Sequence, residues 1–153
     1  MERLNSINNH LTSEKTKQKI VDSAIDWLGF SSTLPKEANE YRLRLRKHFE
    51  EKIDHAKLLS QNEKAEYPHD LWPMLKESDA VGYFFEKPYG HGHDMWKYIC
   101  SIIESARVDA SMSTMFMVHT ALFGHTIEKY GSEELKAEYL PKMINCEQIG
   151  AWA

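Results

Sequence analysis

The residues with the most obvious chemical capacity are histidines. His91-Gly92-His93-Asp94 places two imidazoles and a carboxylate within four positions, a spacing that invites a metal. No further ligand cluster at helical spacing accompanies them, and His119 and His125 stand six apart rather than four. Two exposed loop histidines are therefore expected, and no metal site. The Tyr89-Gly90-His91-Gly92 stretch lacks the lysine and the preceding strand of a phosphate-binding loop. Nucleophile elbows, HExxH and kinase signatures are absent from the sequence. Cys100 and Cys146 form no CxxC pair and read as reduced, buried or half-buried thiols. The methionines from Met95 to Met117, with Met143 beyond, fit core gap-filling better than an adaptable binding surface. By motif alone the chain shows no active site.

The elements that would hold such residues are helical almost throughout, because apolar positions recur at three and four rather than two. A helix is expected over Glu14 to about Leu28, capped by Ser13, with Gly29 ending it. A second begins near Pro35 and carries Tyr41, Leu45, Phe49, Ile53 and then Ala56 along one side. Its other side, with Glu40, Arg44, Lys47, Glu51 and their neighbours, reads as solvated. Residues 62–68 read as a connector, His69 to Lys76 as a short helix, and Gly82 to Gly92 as a loop. Asp94 can cap a helix whose Met95, Ile99, Ile102, Ile103 and Ala106 fill one face. After a break at Asp109 or Ala110, a central helix runs from Met112 through Phe116, His119 and Phe123 to Tyr130. Gly131 ends it, Ser132 caps the next helix, and Leu135, Tyr139 and Leu140 give that helix an inner face. Ile149 to Ala153 reads as the start of a strand without a partner in the chain.

With 153 residues, 42% hydrophobic and 27% charged, the sequence suits one ordinary all-α domain with a real core. A net charge of −4 argues against a nucleic-acid footprint. No apolar run reaches the ~18 residues of a membrane span. The first residues lack the apolar stretch of a signal peptide and, with Arg3 the sole arginine before Arg42, make a poor mitochondrial leader.

Function enters through resemblance. The run Ala106 to Thr114 (ARVDASMST), then Tyr130 to Glu134 (YGSEE), then Lys136 to Lys142 (KAEYLPK), resembles in order the N-terminal helical domain of the acyl-CoA dehydrogenase and acyl-CoA oxidase superfamily. Glu147 to Ala153 (EQIGAWA) is similar to the segment leading into that family's middle β-domain, and EKAEYP at Glu63 to Pro68 to a connector. The likeness covers about Tyr41 to Ala153. The ARVDAS segment looks most like plant-type short-chain acyl-CoA oxidases and glutaryl-CoA dehydrogenases. His69 stands where the latter carry a carboxylate-holding arginine, which disfavours a glutaryl substrate.

The resemblance implies FAD-dependent α,β-desaturation of an acyl-CoA thioester, a glutamate base taking the α-proton and the flavin the hydride. It implies substrate contact at Ser113 and Thr114, flavin contact at Trp152 and Ala153, and an acyl-pocket floor near Met115, Val118 and Leu122. It divides the chain into an extension (1–32), the helical domain (33–148) and the start of the middle domain (149–153). The base and most of the flavin site belong to parts of the family fold beyond residue 153, so no catalytic residue is assigned and this chain alone is expected to be inactive. Further implied are the remaining domains or subunits as partners, a homo-oligomer at full length, and a peroxisomal or mitochondrial address. The alternative is a non-catalytic helical interaction subunit of that descent.

Overall fold

The computed structural model describes residues 29–151. The expected helix over Glu14 to Leu28 and the expected flavin contacts Trp152 and Ala153 lie outside them. The chain divides into two units, Met1–Leu34 and Pro35–Ala153. In the first, the described part is a single helical turn, Phe30–Thr33, entered through Gly29 in the left-handed region.

The second unit is all-α, as expected. Its helices are α1 (Lys36–Lys52), α2 (His55–Glu63), α3 (Leu71–Ser78), α4 (Met95–Val108), α5 (Ala110–Met117), α6 (His125–Tyr130) and α7 (Glu133–Ile144). A 3-10 turn, Val81–Phe84, precedes α4, and a π-helical stretch, Val118–Gly124, joins α5 to α6. Ala38, Tyr41, Leu45 and Phe49 of α1 recur at three and four and are buried, so α1 turns one stripe inward against α3 and α4.

The expected second helix is in fact two. α1 stops at Lys52, Ile53 is extended, and Asp54 caps α2 by accepting the Lys57 amide at 3.0 Å. Ile53 and Ala56 thus continued a periodicity across a break that the Asp54 carboxylate enforces. α2 ends in a Schellman motif: the Glu66 amide reaches the Gln61 carbonyl at 2.9 Å and the Ala65 amide the Asn62 carbonyl at 3.1 Å. This holds the exposed Ala65 at φ 54°, where a β-carbon is unwelcome. Ala65→Gly is accordingly expected to stabilise the fold by about 1 kcal/mol, read as a rise in the urea midpoint at unchanged m-value.

α4 corrects a second expectation. Its Met95, Trp96 and Ile99 are exposed, whereas Tyr98, Cys100, Ser101, Glu104 and Ser105 are buried. The polar side faces inward because α1 meets it with matching groups: Tyr41 Oη lies 2.8 Å from Ser101 Oγ, and Arg42 and Arg46 reach Glu104. The apolar stripe that defined the helix in sequence is covered only in part, with Met95, Ile99 and Ala106 exposed and Ile102 and Ile103 half-buried. In α7 likewise Leu135 is exposed, while Leu140 and Met143 are buried. Among the described residues no strand forms, and Ile149–Ala151 carries no ladder.

Candidate functional site

Two segments carry the residues of interest: the central helix and the exit of the chain after α7. α4 and α5 meet at Asp109, extended at φ −159°, whose Oδ1 accepts the Ser111 and Met112 amides at 2.7 and 3.0 Å. This cap sets the start of α5 and hence the facing of each side chain along it. Ser113 is buried and donates to the Ile102 carbonyl of α4 at 3.3 Å. Thr114 is exposed and donates to the Ala110 carbonyl at 2.9 Å. Adjacent helical residues point ~100° apart, so the two hydroxyls do not share one surface.

Thr114 lies instead in line with Val118 and Leu122, at spacing four. Val118 is half-buried and Leu122 is 49% exposed, with Met117 open beside them. The structure therefore gathers Thr114, Val118 and Leu122 into one open, largely apolar strip. Ser113 lies under α4, and Met115 is half-buried.

The central helix expected as one α-helix widens into π geometry over Val118–Gly124. Such turns recur at functional sites. Tyr98 of α4 fixes this one through Thr120 at 2.8 Å, and Gly124 gives room to the Phe85 ring, which a β-carbon there would approach to 2.5 Å. Within the wide turn His119 is fully buried, edge-on to Trp72 of α3 at 4.9 Å. Its Nε2 lies 3.0 Å from the Met143 carbonyl, and the Gly150 amide donates to its Nδ1 at 3.0 Å. Burial holds the imidazole below the ordinary histidine value, and the Met143 carbonyl opposes this.

Before that contact, α7 closes in a second Schellman motif, with Cys146 at φ 53°, its amide on Met143 O at 2.9 Å and the Glu147 amide on Lys142 O at 2.8 Å. Glu147 then pairs with Lys76 of α3 at 3.6 Å. The exit is thus tied to α3, α7 and the central helix over five residues. Burial pushes the Cys146 thiol, and that of the buried Cys100, up to about 11, so both stay protonated at neutral pH.

The loop histidines have protein partners. His91 Nε2 meets Asp79 Oδ2 at 2.7 Å, and His93 Nδ1 lies 2.6 Å from the Phe84 carbonyl. Among the described residues no group of three or more His, Cys, Asp or Glu is placed to hold a metal ion. His69 is exposed beside Tyr67. A groove of about 300 Å³ between α1 and the end of α3 is lined by Tyr41, Arg44, His48, Glu77, Asp79 and Tyr83. These charged walls do not suit a flavin ring, and the segment to which resemblance assigns flavin contact begins just past the described residues. Among those residues no helix is long and apolar enough to cross a membrane.

Sequence reasoning missed two features. Arg42 and Arg46, which the sequence reading did not single out, turn in to the fully buried Glu104. His119, read as one more position of an apolar stripe, binds backbone groups on two other segments. Its partners lie 24 and 31 residues away and leave no local signal.

Comparison with known proteins adds a family pattern. Residues 35–147 match the model described as acyl-CoA dehydrogenase, N-terminal domain. The chain is 30% identical over 89 residues to an acyl-CoA dehydrogenase of Bacillus subtilis (strain 168), covering 58% of this chain and 24% of that protein. It is 26% identical over 114 residues to a short-chain-specific acyl-CoA dehydrogenase of Megasphaera elsdenii, covering 72% and 30%. With the mitochondrial isovaleryl-CoA dehydrogenase of Bos taurus it shares 25% over 146 residues, covering 94% and 33%. The matched part of the chain spans about a quarter to a third of the length of these relatives.

Proposed function

Since the chain belongs to the acyl-CoA dehydrogenase family through its N-terminal helical domain, we propose that it supplies the helical wall of an acyl-CoA site in a flavin-dependent α,β-desaturase. One observation carries this: Thr114, Val118 and Leu122 form an open apolar strip on the central helix, within the matched residues. A strip of that kind suits an acyl chain laid along it, with the Thr114 hydroxyl at one end as a polar contact. Ser113 acts from beneath, bracing α5 on α4.

In this reading residues 1–32 are an extension, 33–148 the helical domain and 149–153 the entry to a middle domain, with Trp152 and Ala153 at the edge of the flavin. Desaturation is then the work of the whole fold, FAD included, and the exposed Met95, Trp96 and Ile99 of α4 are covered by other parts of that fold or by a second subunit. The substrate in this reading is a short unsubstituted or branched acyl chain. The names of the relatives, short-chain-specific and isovaleryl-CoA dehydrogenase, run the same way. The exposed His69 offers no bidentate grip on a distal carboxylate.

The test uses the product of the native transcript, purified and challenged anaerobically with butyryl-CoA and isovaleryl-CoA. The expected result is bleaching of the oxidised flavin. Leu122→Lys should fold normally, since surface changes cost within about 0.5 kcal/mol, yet raise KM for acyl-CoA roughly tenfold or more by putting a charge on the strip. A product without flavin, or with flavin that no acyl-CoA bleaches, overturns the reading. Unchanged kinetics in Leu122→Lys removes the strip from it.

A further inference from the structure

We propose that His119 is a positioning residue: its two ring nitrogens tie the exit segment at Gly150 and the end of α7 to the π turn, and so set the line along which the chain leaves this domain. The consequence for catalysis rests on the proposed flavin-dependent function; the tie itself does not.

The hydrogen-bond pattern fixes the state of the ring. A carbonyl only accepts, so Nε2, 3.0 Å from Met143 O, carries the hydrogen. An amide only donates, so Nδ1, 3.0 Å from Gly150 N, is a bare lone pair. The imidazole is neutral and in one tautomer. A proton added at Nδ1 would face the Gly150 N–H, and the exit would lose its hold on the central helix.

The surroundings are built for this contact. Phe123, four residues on in the same wide turn, lies against Gly150 so closely that a β-carbon there would fall 2.1 Å from its ring. Met143 O also takes the Cys146 amide of the Schellman turn, so His119 adds a second partner to a carbonyl in the last turn of α7. The Trp72 ring closes the side toward α3. The packed elements carry Lys76 and Glu77 on α3, Glu133, Glu134, Lys136, Glu138 and Lys142 on α7, and Glu147 on the exit, with Lys76 and Glu147 paired to each other at the surface. None of them lowers the titration of the ring; burial does.

The pH dependence has a definite sign. The ring titrates below the ordinary 6.5 in the folded chain and near it when unfolded. The tie is therefore complete above pH 6.5 and is lost as pH falls from there through the lowered folded value.

The experiment uses the 153-residue chain, with imidazole nitrogen shifts and Gly150 amide exchange followed by NMR across that range. The expected result is the Nε2–H tautomer, with a Gly150 protection factor that falls as pH drops. Two substitutions separate the nitrogens. In His119→Asn the amide oxygen stands near the place of Nδ1, so Gly150 should stay protected and lose its pH dependence. In His119→Gln the amide NH₂ reaches the place of Nε2, so the Met143 contact should survive while Gly150 protection drops roughly tenfold. An Nδ1–H tautomer in the unmodified chain, or protection that does not vary with pH, overturns the proposal whether or not the variants fold. Equal loss in the two folded variants does so as well. In the flavin-bearing native product, the Gln variant should lose bound flavin faster than the Asn variant. If the unmodified product shows no flavin at all, the functional reading fails while the NMR result on the tie stands.

Discussion

Replacing Glu104 with alanine is expected to cost about 3–5 kcal/mol, a large share of the 5–15 kcal/mol that holds a domain of this size together. The side chain is fully buried. Its Oε1 accepts from Arg42 Nη1 at 3.2 Å and Arg46 Nη2 at 3.0 Å, and its Oε2 from Arg46 Nε at 2.9 Å and Arg107 Nε at 3.2 Å. Arg46 thus grips the carboxylate in the bidentate fashion that suits a guanidinium. The Arg42 and Arg46 side chains are 7% and 11% exposed, so removing the one carboxylate takes the shared counter-charge from two largely desolvated cations. Arg107 differs: it is 20% exposed and also pairs with Glu50 at the surface. Arg107→Ala should therefore cost only about 1 kcal/mol. A triple change of Glu104, Arg42 and Arg46 to apolar residues of similar volume should recover most of the loss, because the penalty lies in breaking the set rather than lacking it. Urea denaturation of the four proteins checks the order. An alanine at position 104 as stable as the parent would mean that water reaches the guanidiniums and the helix pair stands on packing alone.

Phe85→Ala should be comparably severe, at about 3–5 kcal/mol, by a different route. The ring is fully buried, stands edge-on to Phe84 at 5.3 Å, and fills the space that Gly124 leaves on the π turn. Its own backbone carbonyl holds the Gly92 and His93 amides at 3.0 and 3.1 Å, so the side chain cannot follow a collapsing cavity without disturbing that loop. Gly124→Ala alone overpacks the same spot and should cost about 1–3 kcal/mol. Together the two changes should cost less than their sum, since the new methyl enters the space the ring vacated. Additive losses in that cycle would show that Phe85 and Gly124 do not compete for one volume.

Both clusters also mark the reach of sequence reasoning in this chain. Three helix starts were legible because a side chain acts on its own neighbourhood: Asp94 accepts the Lys97 amide, Asp109 those of Ser111 and Met112, and Ser132 that of Leu135. The equally local Asp54 cap was hidden by the apolar spacing that runs across it. The stripe of α1 was legible because Tyr41, Leu45 and Phe49 are apolar and buried together. The stripe of α4 was equally clear but is only partly covered, since hydropathy reports a surface that wants covering and not what covers it. The Glu104 cluster and the His119 tie were illegible for a related reason. Each depends on partners 24 to 62 residues away, so the helix's own periodicity says nothing of what a charged or imidazole side chain on it will bind. Of the proposed contacts, Thr114 emerged on an open surface, while Ser113 beside it turned out to brace two helices.

The central helix runs from Ala110 to Tyr130 without interruption, α-helical, then π, then α-helical again. It carries the Thr114–Leu122 strip on one side and His119 on another, so both inherit a single phase. Deleting one residue between Thr114 and His119 would rotate one against the other by about 100°. Either the strip would leave the surface or the imidazole would leave Gly150. Descendants of this sequence can change side chains along the helix one at a time, but they cannot shorten it. Its length behaves as a reading frame, and loops such as Lys64–Asp70 are where insertions and losses should accumulate.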